Sequence, residues 1–309
     1  MSELRIAIVG FGKIARTRHV PVIAGTPGAR LVAIADPNPA SADVPYFPGL
    51  QELLRDGPAF DAVALCTPPQ VRSAQAAIAL AAGKHVLLEK PPGKSLGEIA
   101  PLRSAADAAG RTLFTAWHSQ FAAAVEPARQ LLASRRIERV SVTWKEDVRV
   151  WHPGQAWIFQ PGGLGVFDPG INALSILTRV LPQPLFVTRA ELDIPANCAA
   201  PIAAELALAD AAGLPVEAAF DFRQTGAPSR IIRFETDRGP LTLSGGARLT
   251  DGDRVLVDAS NEEYPLLYRR FVELAAHGHS DVDLAPLQLV ADCFLLGRWR
   301  EVEAFEDRT

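Results

Sequence analysis

The sequence predicts an α/β protein with two domains: an N-terminal doubly wound parallel sheet and a C-terminal α/β domain with an open, mainly antiparallel sheet. Three observations support this fold class. A glycine-rich turn follows the first apolar run, apolar runs then alternate with helical patterns up to about residue 118, and longer alternating runs replace them beyond it. We therefore place the first domain over residues 1–118 and the second over 119–309.

The first domain contains five apolar runs of strand length, separated by stretches with helical patterns. These runs are Leu4–Val9, Arg30–Ala35, Ala62–Leu65, His85–Leu88 and Thr112–Ala116. Strands that alternate with helices form a parallel sheet covered on both faces. The helix after the fourth strand carries a capping signal, because Ser95 and Glu98 have the spacing at which each side chain bonds the other residue's backbone N–H.

The second domain has a different pattern, in which a helical segment at Val125–Ala133 precedes a series of long alternating runs. The runs are Arg139–Trp144, Phe186–Asp193, Ala203–Ala209, Val216–Phe222, Ser229–Glu235 and Gly239–Leu243. Alternation of this kind predicts a half-exposed antiparallel sheet. Two helices follow, at Tyr264–His277 and Ala285–Arg300, and we expect that the final one can pack back on the first domain.

Length and composition exclude several classes of protein. The chain has 309 residues, 48% hydrophobic content, 21% charged content and a formal net charge of −4. It has no cluster of Lys and Arg, which argues against nucleic acid as a partner. No apolar run reaches the roughly 18 to 20 residues of a membrane span, and the N-terminus lacks a signal-peptide pattern, so we expect a cytoplasmic protein without a membrane partner. Cys66, Cys198 and Cys293 are too widely separated for a disulfide framework or a metal site.

The glycine-rich turn is the sequence Gly10-Phe-Gly12-Lys13-Ile14-Ala15. In a turn between a strand and a helix, Gly10 permits the tight bend, Gly12 lets the backbone approach a pyrophosphate, and the small Ala15 allows the helix to pack closely on the strand. The unpaired N–H groups at the start of the helix then favour the phosphates. We therefore predict a Rossmann-type dinucleotide site that includes Lys13 and Ile14.

Asp36 ends the second predicted strand, 26 positions after Gly10, where an acidic side chain accepts hydrogen bonds from the adenosine ribose. A carboxylate there repels a 2′-phosphate, so Asp36 favours NAD over NADP, although Arg16 and Arg18 weaken that preference. The alternative is that Asp36 merely begins a turn. Thr67 and Pro68 follow the third strand, whose carboxyl end should face the cofactor.

Lys90 follows a buried apolar strand and Glu89, and it precedes two prolines. A lysine at this place, downstream of a dinucleotide turn, suggests an enzyme of hydride transfer. The alternative is a solvated lysine at the end of a strand.

Several motifs resemble those of the Gfo/Idh/MocA oxidoreductases, and the resemblance spans nearly the whole chain. The shorter ones are Gly10-x-Gly12-x-x-Ala15, Cys66-Thr-Pro-Pro69 and Glu89-Lys90-Pro91. Three longer ones are similar to motifs of the bacterial aldose 1-dehydrogenases acting on D-galactose or L-arabinose: Trp144-Lys-Glu146-Asp147, Trp151-His152-Pro-Gly-Gln155 and Gly162-Gly-Leu-Gly-Val-Phe-Asp168-Pro-Gly-Ile-Asn172. The resemblance implies a Rossmann domain, a second domain whose open sheet often forms a subunit interface, and a pyranose bound between the two domains. It also implies that Glu89 and Lys90 belong to the cofactor site.

Oxidation of an aldopyranose at C1 removes the hydroxyl proton while hydride leaves the carbon. The resemblance places Lys90 beside the nicotinamide and the sugar, where a cation stabilises the developing alkoxide. Asp168 and Asn172 have the spacing of the family's Asp-x-x-x-His pair, but Asn172 cannot accept a proton. We therefore expect Asp168 to be the base, or a proton relay with Lys90, and Asn172 to hydrogen-bond a sugar hydroxyl. Alternatively, Asp168 caps a helix that contains Pro169.

Three further residues and His152 complete the predicted sugar contacts. His152 titrates near neutrality when unperturbed, so it either binds a hydroxyl or serves as the alternative base. Trp151 offers the type of ring that stacks on sugar faces, and Glu146 is assigned by resemblance, the alternative being a charged strand end in solvent. His118 follows the fifth strand and is placed to contact the substrate.

The resemblance implies an NAD(P)-dependent oxidoreductase acting on CH–OH groups, which converts D-galactose, L-arabinose or both, and also D-fucose, to the aldonolactone. We expect NAD as cofactor, with NADP less favoured, and an assembly of identical subunits through the C-terminal sheet, with a monomer as the alternative. Two other functions stay open because a fold does not fix a function. One is another sugar or polyol dehydrogenase of the same family, such as an inositol type, and the other is a non-catalytic, dinucleotide-dependent sugar sensor.

Overall fold

The computed structural model describes residues 3–260 and 262–306, which form two compact units. The first unit comprises the chain up to His118 together with Glu263–Asp283, and the second comprises Ser119–Glu262 together with the chain from Leu284 onwards. The predicted second domain, 119–309, thus includes a stretch, Glu263–Asp283, whose contacts lie with the first unit.

The first unit is built on a six-stranded sheet in which every neighbouring pair is parallel. Its strands are β1 (Leu4–Val9), β2 (Ala29–Ala35), β3 (Tyr46–Phe47), β4 (Ala62–Leu65), β5 (His85–Glu89) and β6 (Leu113–Ala116). They lie in the order β3-β2-β1-β4-β5-β6. The order therefore reverses between β1 and β4, and in open α/β sheets ligands bind at the carboxyl ends of the strands at such a point. The predicted parallel sheet is confirmed, and the two-residue β3 was too short to be recognised.

Helices follow the strands of this sheet, as the alternating pattern predicted. They are α1 (Val20–Gly25), α2 (Leu50–Asp56), α3 (Pro69–Ala81) and α4 (Leu96–Ala109). A π-helical turn, Ala15–His19, precedes α1. The wider turn has a local cause, because Pro21 has no N–H to donate and its ring crowds the carbonyl four positions earlier.

The second unit contains a nine-stranded sheet of mainly antiparallel strands, as predicted. Its strands are β7 (Ile137–Lys145), β8 (Phe186–Pro195), β9 (Ala203–Ala209), β10 (Val216–Asp221), β11 (Ser229–Thr236), β12 (Leu241–Ser244), β13 (Arg248–Asp251), β14 (Arg254–Asp258) and β15 (Arg298–Val302). They lie in the order β14-β13-β12-β11-β7-β10-β9-β8-β15, and the two parallel pairs are β7–β10 and β8–β15. Buried residues alternate with exposed ones along β7 and β10, so each of these strands has one buried face.

The remaining helices complete the two units. In the second unit α5 (Val125–Leu132), α6 (Val148–Trp151) and α7 (Phe167–Val180) precede β8, whereas α8 (Glu263–His277) belongs to the first unit and α9 (Ala285–Leu296) to the second. The helix that joins the first unit is therefore α8 and not the final helix. In the described part of the chain, none of the helices combines the length and apolar character needed to cross a bilayer.

Two local predictions were wrong. The final helix does not run to Arg300 but ends at Leu296, and β15 follows it. Beyond Gly297 the chain does not continue the helix but pairs with β8 as β15. Arg300 supports this pairing, because its Nε donates to Asp193 Oδ1 at 2.7 Å. The capping box of α4 does not form: Ser95 makes no side-chain capping bond, because Glu98 instead pairs with Lys94 at 3.0 Å.

Candidate active site

The glycine-rich turn lies where the sequence placed it, directly after β1. Gly10 has a φ of +90°, and a Cβ at this position would lie 2.6 Å from the Thr67 nitrogen, so the chain itself requires glycine there. Gly12 is different: apart from its chain neighbours, no atom of the described residues lies within 4 Å of the place its Cβ would take. Ala15 is fully buried, as close helix packing demands. The exposed space above Gly12 thus fits a pyrophosphate that approaches the backbone.

Lys13 and Ile14 begin the helical run 13–25, and both are exposed beside Gly12. The helix therefore begins at an exposed position directly after the turn. That arrangement suits an anion, as predicted for the phosphates.

Asp36 connects the end of β2 to the glycine-rich turn. Its Oδ2 accepts the Phe11 N–H at 2.7 Å, and its Oδ1 accepts the Asn38 N–H at 2.8 Å. Asp36 therefore starts a turn and also holds the backbone of the glycine-rich turn, while its contact with a ribose stays a prediction. Each carboxylate oxygen keeps a lone pair that a ribose hydroxyl can use.

The loop after β4 contains Thr67 and Pro68, which precede α3 and mark the next part of the predicted cofactor site. Thr67 is 9% exposed, and its Oγ1 donates to Gln75 Oε1 at 2.6 Å. Pro68 is the exposed N-cap residue of α3. Among the described residues the cis peptide bond is Lys90–Pro91, outside this loop.

Lys90 is half-buried and lies directly after β5. Its backbone N–H donates to Glu89 Oε2 at 2.6 Å. The guanidinium of Arg72, on α3, donates to the carbonyls of Glu89 and Pro91 on either side of Lys90, and also to the carbonyl of Thr67. The main chain around Lys90 is therefore anchored on both sides.

Behind Lys90 lies a buried polar cluster centred on Glu89. Glu89 Oε1 accepts from the Tyr264 hydroxyl at 2.5 Å and lies 3.2 Å from His19 Nε2, while His19 Nδ1 lies 2.7 Å from the Tyr268 hydroxyl. Burial disfavours a charged carboxylate, but the hydrogen bond and charge of His19 outweigh it and lower the pKa of Glu89 to about 2. Burial also opposes the charge of the imidazole, yet its polar neighbours, the Glu89 carboxylate among them, raise the pKa of His19 well above 6.5. Glu89 is thus engaged by protein donors, which favours a role in supporting Lys90 over direct contact with a cofactor.

His118 lies at the edge of the same cluster. Its Nδ1 is 2.6 Å from Glu263 Oε2, and its ring stacks on Tyr264 with centroids 5.0 Å apart. The imidazole is thereby held in one orientation.

The second unit brings together three of the predicted site residues: Glu146, His152 and Asp168. His152 Nε2 lies 3.6 Å from Asp168 Oδ2 and 3.9 Å from Glu146 Oε1. The two carboxylates are almost completely buried, at 2% exposure for Glu146 and 3% for Asp168. These are ion-pair distances rather than short hydrogen bonds.

The partner of Glu146 was not anticipated. Arg230, on β11, donates from Nε at 3.0 Å and from a terminal nitrogen at 2.6 Å to Glu146 Oε2. The same guanidinium lies 4.5 Å from the centroid of the Trp151 ring, which is 39% exposed. Trp151 is therefore in contact with a cation on one side and keeps part of its surface for a ligand.

Asp168 lies in the first turn of α7, whose N-cap is Val166, so Asp168 is not the N-cap residue. Asn172 follows one turn later on the same helix and is half-buried. Residues four apart lie on one face of a helix. The expectation of a shared face is therefore met by the observed helix.

A cavity of about 290 Å³ lies next to this cluster, within the second unit. Its lining includes His152, Gln155, Phe159, Gln160, Asn197 and Phe305. Side-chain amides and aromatic rings of this kind can bind polar and apolar parts of a small molecule. Within residues 3–260 and 262–306, no group of three or more His, Cys, Asp or Glu side chains is arranged to hold a metal ion.

Sequence reasoning missed Arg72 and Arg230. Arg72 gave a usable signal, because it is a single charged residue among small ones, one turn after Thr67 and Pro68. Arg230 gave none, since its partner Glu146 lies 84 positions away and the two meet only through the pairing of β11 with β7.

Comparison with known proteins identifies similar oxidoreductases. A family model described as "Oxidoreductase family, NAD-binding Rossmann fold", that of Gfo/Idh/MocA, matches residues 4–117. The galactose 1-dehydrogenase of Pseudomonas fluorescens is 47% identical over 310 residues, which cover 99% of this chain and 100% of the relative. The crystal structure of a D-galactose-1-dehydrogenase from Rhizobium etli has 52% identity and a TM-score of 0.94 over 99% of both chains.

More distant structures share the fold. A 3-ketoreductase from Actinomadura kijaniata, in complex with NADP and TDP-benzene, has a TM-score of 0.86 at 19% identity, over 97% of this chain and 100% of that one. At that identity the likeness concerns the fold alone. Because the match to the Pseudomonas protein is close and extends over its whole length, the chain belongs to the Gfo/Idh/MocA family of oxidoreductases.

Proposed function

We propose that this protein is an NAD(P)-dependent aldose 1-dehydrogenase, which oxidises the C1 hydroxyl of D-galactose, L-arabinose or both, and also of D-fucose, to the aldonolactone. The observation that carries the proposal is the 47% identity to a galactose 1-dehydrogenase over 99% of the chain. The cluster of Glu146, His152 and Asp168 supports it, because it offers acceptors for both a proton and sugar hydroxyls.

The cofactor is held by the glycine-rich turn of the first unit in this proposal. Gly12 lets the backbone reach the pyrophosphate, the N–H groups from Lys13 onwards bind its oxygens, and Asp36 accepts from the adenosine ribose. When bound, NAD supplies the hydride acceptor for the sugar C1. The negative charge of Asp36 disfavours a 2′-phosphate, so we expect NAD to be preferred to NADP.

Asp168 takes the proton of the C1 hydroxyl in the proposed reaction. His152 Nε2 is 3.6 Å from Asp168 Oδ2, so the proton can be shared with the imidazole, which also serves as the alternative base. Asn172, on the same helix, donates to and accepts from a neighbouring sugar hydroxyl but cannot take up a proton.

Lys90 supplies the positive charge. An ammonium near the C1 oxygen stabilises the alkoxide that develops as the proton leaves. Glu89 and His118 support this side of the site, one by fixing the Lys90 backbone and the other by presenting an oriented imidazole.

Glu146 and Trp151 complete the proposed sugar contacts. The buried carboxylate of Glu146 is oriented by Arg230 and can accept from a hydroxyl pair, while Trp151 offers an apolar ring face. D-galactose and L-arabinose share their configuration at C2, C3 and C4, so a site of this kind discriminates between them by about 1 to 3 kcal/mol.

Two further expectations belong to the proposal: a cytoplasmic location, and an assembly of identical subunits through the nine-stranded sheet. The exposed residues that alternate along β7 and β10 give that sheet a face on which a second copy can pack. Size-exclusion chromatography with light scattering tests the assembly, and a monomer at high protein concentration would contradict it.

The function is tested by the formation of NADH or NADPH with a panel of sugars. We expect turnover with D-galactose, L-arabinose and D-fucose, faster with NAD than with NADP, and little with D-glucose or myo-inositol. Turnover with myo-inositol instead would assign another polyol to the site. Cofactor binding without turnover on any sugar would favour a sensor.

A further inference from the structure

Arg72 holds two loops of the first unit together. It lies on α3 with 3% exposure, and its two terminal nitrogens donate to the main-chain carbonyls of Thr67, Glu89 and Pro91. Thr67 belongs to the loop after β4. Glu89 and Pro91 are the residues immediately before and after Lys90, in the loop after β5.

The side chain of arginine suits this task. A guanidinium is planar and presents five N–H donors in a fixed fork, so it sets the spacing of several acceptors at once. A lysine has a compact ammonium on a flexible stem and cannot reproduce that geometry. The three carbonyls therefore depend on Arg72 for their relative positions.

The backbone of Lys90 is consequently fixed from three directions. Its N–H donates to Glu89 Oε2 at 2.6 Å, and the carbonyls on either side of it accept from Arg72. The nearby loop with Thr67 is tied to the same guanidinium, so the stem from which the Lys90 ammonium extends is held against the loop assigned to the cofactor site.

We propose that Arg72 is a positioning residue for Lys90. It does not act on the substrate itself but fixes the main chain from which the Lys90 ammonium reaches the C1 oxygen. The inference rests on the proposed function in one respect, namely that Lys90 contributes its charge to the reaction. Misplacement of such a group by about 1 Å can cost on the order of 100-fold in rate.

A double-mutant cycle tests whether the effect of Arg72 passes through Lys90. Turnover of D-galactose with NAD is measured for the wild type, Arg72→Lys, Lys90→Met and the double variant. We expect Arg72→Lys to lower kcat about 10- to 100-fold with little change in KM, and to change kcat less than about twofold when Lys90 is already methionine. An equal loss in both backgrounds would overturn the proposal, because Arg72 would then act on the fold in general.

Two further variants test whether the loss of kcat in Arg72→Lys reflects only a general loss of structure. Arg103→Lys, at an exposed position of α4, is the matched control and should leave kcat unchanged. Arg72→Gln, with two donors and no charge, replaces Arg72→Lys in the cycle if the lysine variant does not fold. Fluorescence titration with NADH should give the same dissociation constant for all folded variants.

A second measurement needs no turnover and separates this inference from the proposed function. Reductive methylation with ¹³C labels the lysines, and Lys90→Arg identifies the Lys90 resonance by its loss. If Arg72 positions Lys90, Arg72→Gln, which adds no lysine to the spectrum, shifts the Lys90 resonance while the other lysine resonances stay in place. An unchanged Lys90 resonance in the Arg72 variant would overturn the proposal. A shifted resonance in that variant, together with a wild type that oxidises no sugar, would refute the proposed function alone.

Discussion

Lys90 has its main chain fixed by its neighbours while its ammonium extends from a half-buried position. The anchoring groups are the carboxylate of Glu89, which accepts from the Lys90 N–H, and the guanidinium of Arg72, which donates to the carbonyls before and after Lys90. A cation mounted in this way loses little freedom when it meets a developing negative charge. That is the physical basis for its role in the proposed reaction.

Replacing the charge should therefore affect turnover more than binding. We expect Lys90→Met to lower kcat by about 10²- to 10³-fold, the range found when one stabilising donor is removed, with unchanged NADH affinity. Stopped-flow kinetics and fluorescence titration measure the two effects. Lys94→Met, at an exposed position nearby, should leave both unchanged, and a Lys90→Met variant with wild-type kcat would refute the role.

We propose that Asp36, also at the residue scale, determines the preference for NAD over NADP. The carboxylate accepts from Phe11 N–H at 2.7 Å beside Gly12, so its charge lies next to the proposed ribose position. Asp36→Ser keeps an acceptor but removes the charge, and we expect the ratio of kcat/KM for NADP over NAD to rise about tenfold, which corresponds to about 1.4 kcal/mol. Asp43→Ser, an exposed aspartate in the following loop, serves as control. A ratio that does not move would contradict the assigned ribose contact.

Residues within one local motif were predictable from sequence, and those that depend on distant pairing were not. Gly10, Gly12 and Ala15 lie in one turn, so their spacing carried the prediction. Arg230 reaches Glu146 only because β11 pairs with β7, and that register cannot be derived from either segment alone.

At the scale of helices and strands, prediction from sequence failed for the same reason at α9 and β15. The apolar pattern of α9 continued towards Arg300, yet the helix ends at Leu296. Pairing between β15 and β8 is a contact between residues about a hundred positions apart, so it competes with helix propensity without any local signal. The mainly antiparallel type of the second sheet was predictable, in contrast, because alternating apolar and polar residues indicate strands with one buried face.

Alanine substitutions at two glycines, one after α9 and one near the start of α4, test this description of the helix ends through the free energy of unfolding. A Cβ at Gly297 would lie 2.3 Å from the Cys293 carbonyl oxygen, so Gly297→Ala should lower the free energy of unfolding by about 1 to 3 kcal/mol. Gly97, near the start of α4, has open space around it, and Gly97→Ala should raise that free energy by about 0.4 to 1 kcal/mol. Urea unfolding compares the two, and a neutral Gly297→Ala would show that α9 does not end as described.

At the scale of the whole molecule, the sequence boundary at residue 118 divides the chain almost as the contacts do. The exception is Glu263–Asp283, which returns to the first unit and brings Tyr264 to Glu89 and Tyr268 to His19. The sequence does not show to which unit α8 belongs, because an amphipathic helix has the same pattern whichever sheet it covers.

The buried cluster that this return completes gives the folded protein a defined pH dependence. Stability that depends on Glu89 is complete above pH 4.5 and is lost as the pH falls to about 2, because the unfolded state binds a proton in this range that the folded state does not. Stability that depends on His19 is complete below pH 6.5 and is lost as the pH rises towards the raised pKa of the imidazole. The groups that face this pair include Tyr264, Tyr268 and Cys66.

We therefore expect the contribution of the pair to be greatest between pH 4.5 and 6.5. Glu89→Gln should be less stable than the wild type in that range, and the difference should shrink as the pH falls below 4.5, as measured by chemical unfolding in a series of buffers. Glu126→Gln is the control: the pKa of Glu126 is also lowered to about 2, but its ion pairs lie at the surface and are screened. A constant difference for Glu89→Gln at every pH would contradict a charged, buried Glu89.

The central claim, oxidation at C1 with transfer of hydride, is tested most directly with D-galactose that carries deuterium at C1. We predict that deuterium appears in the reduced dinucleotide, that the sugar product is the lactone, and that kcat/KM is lower than with unlabelled galactose. Deuterium retained in the sugar product would place the oxidation at another carbon and contradict the account.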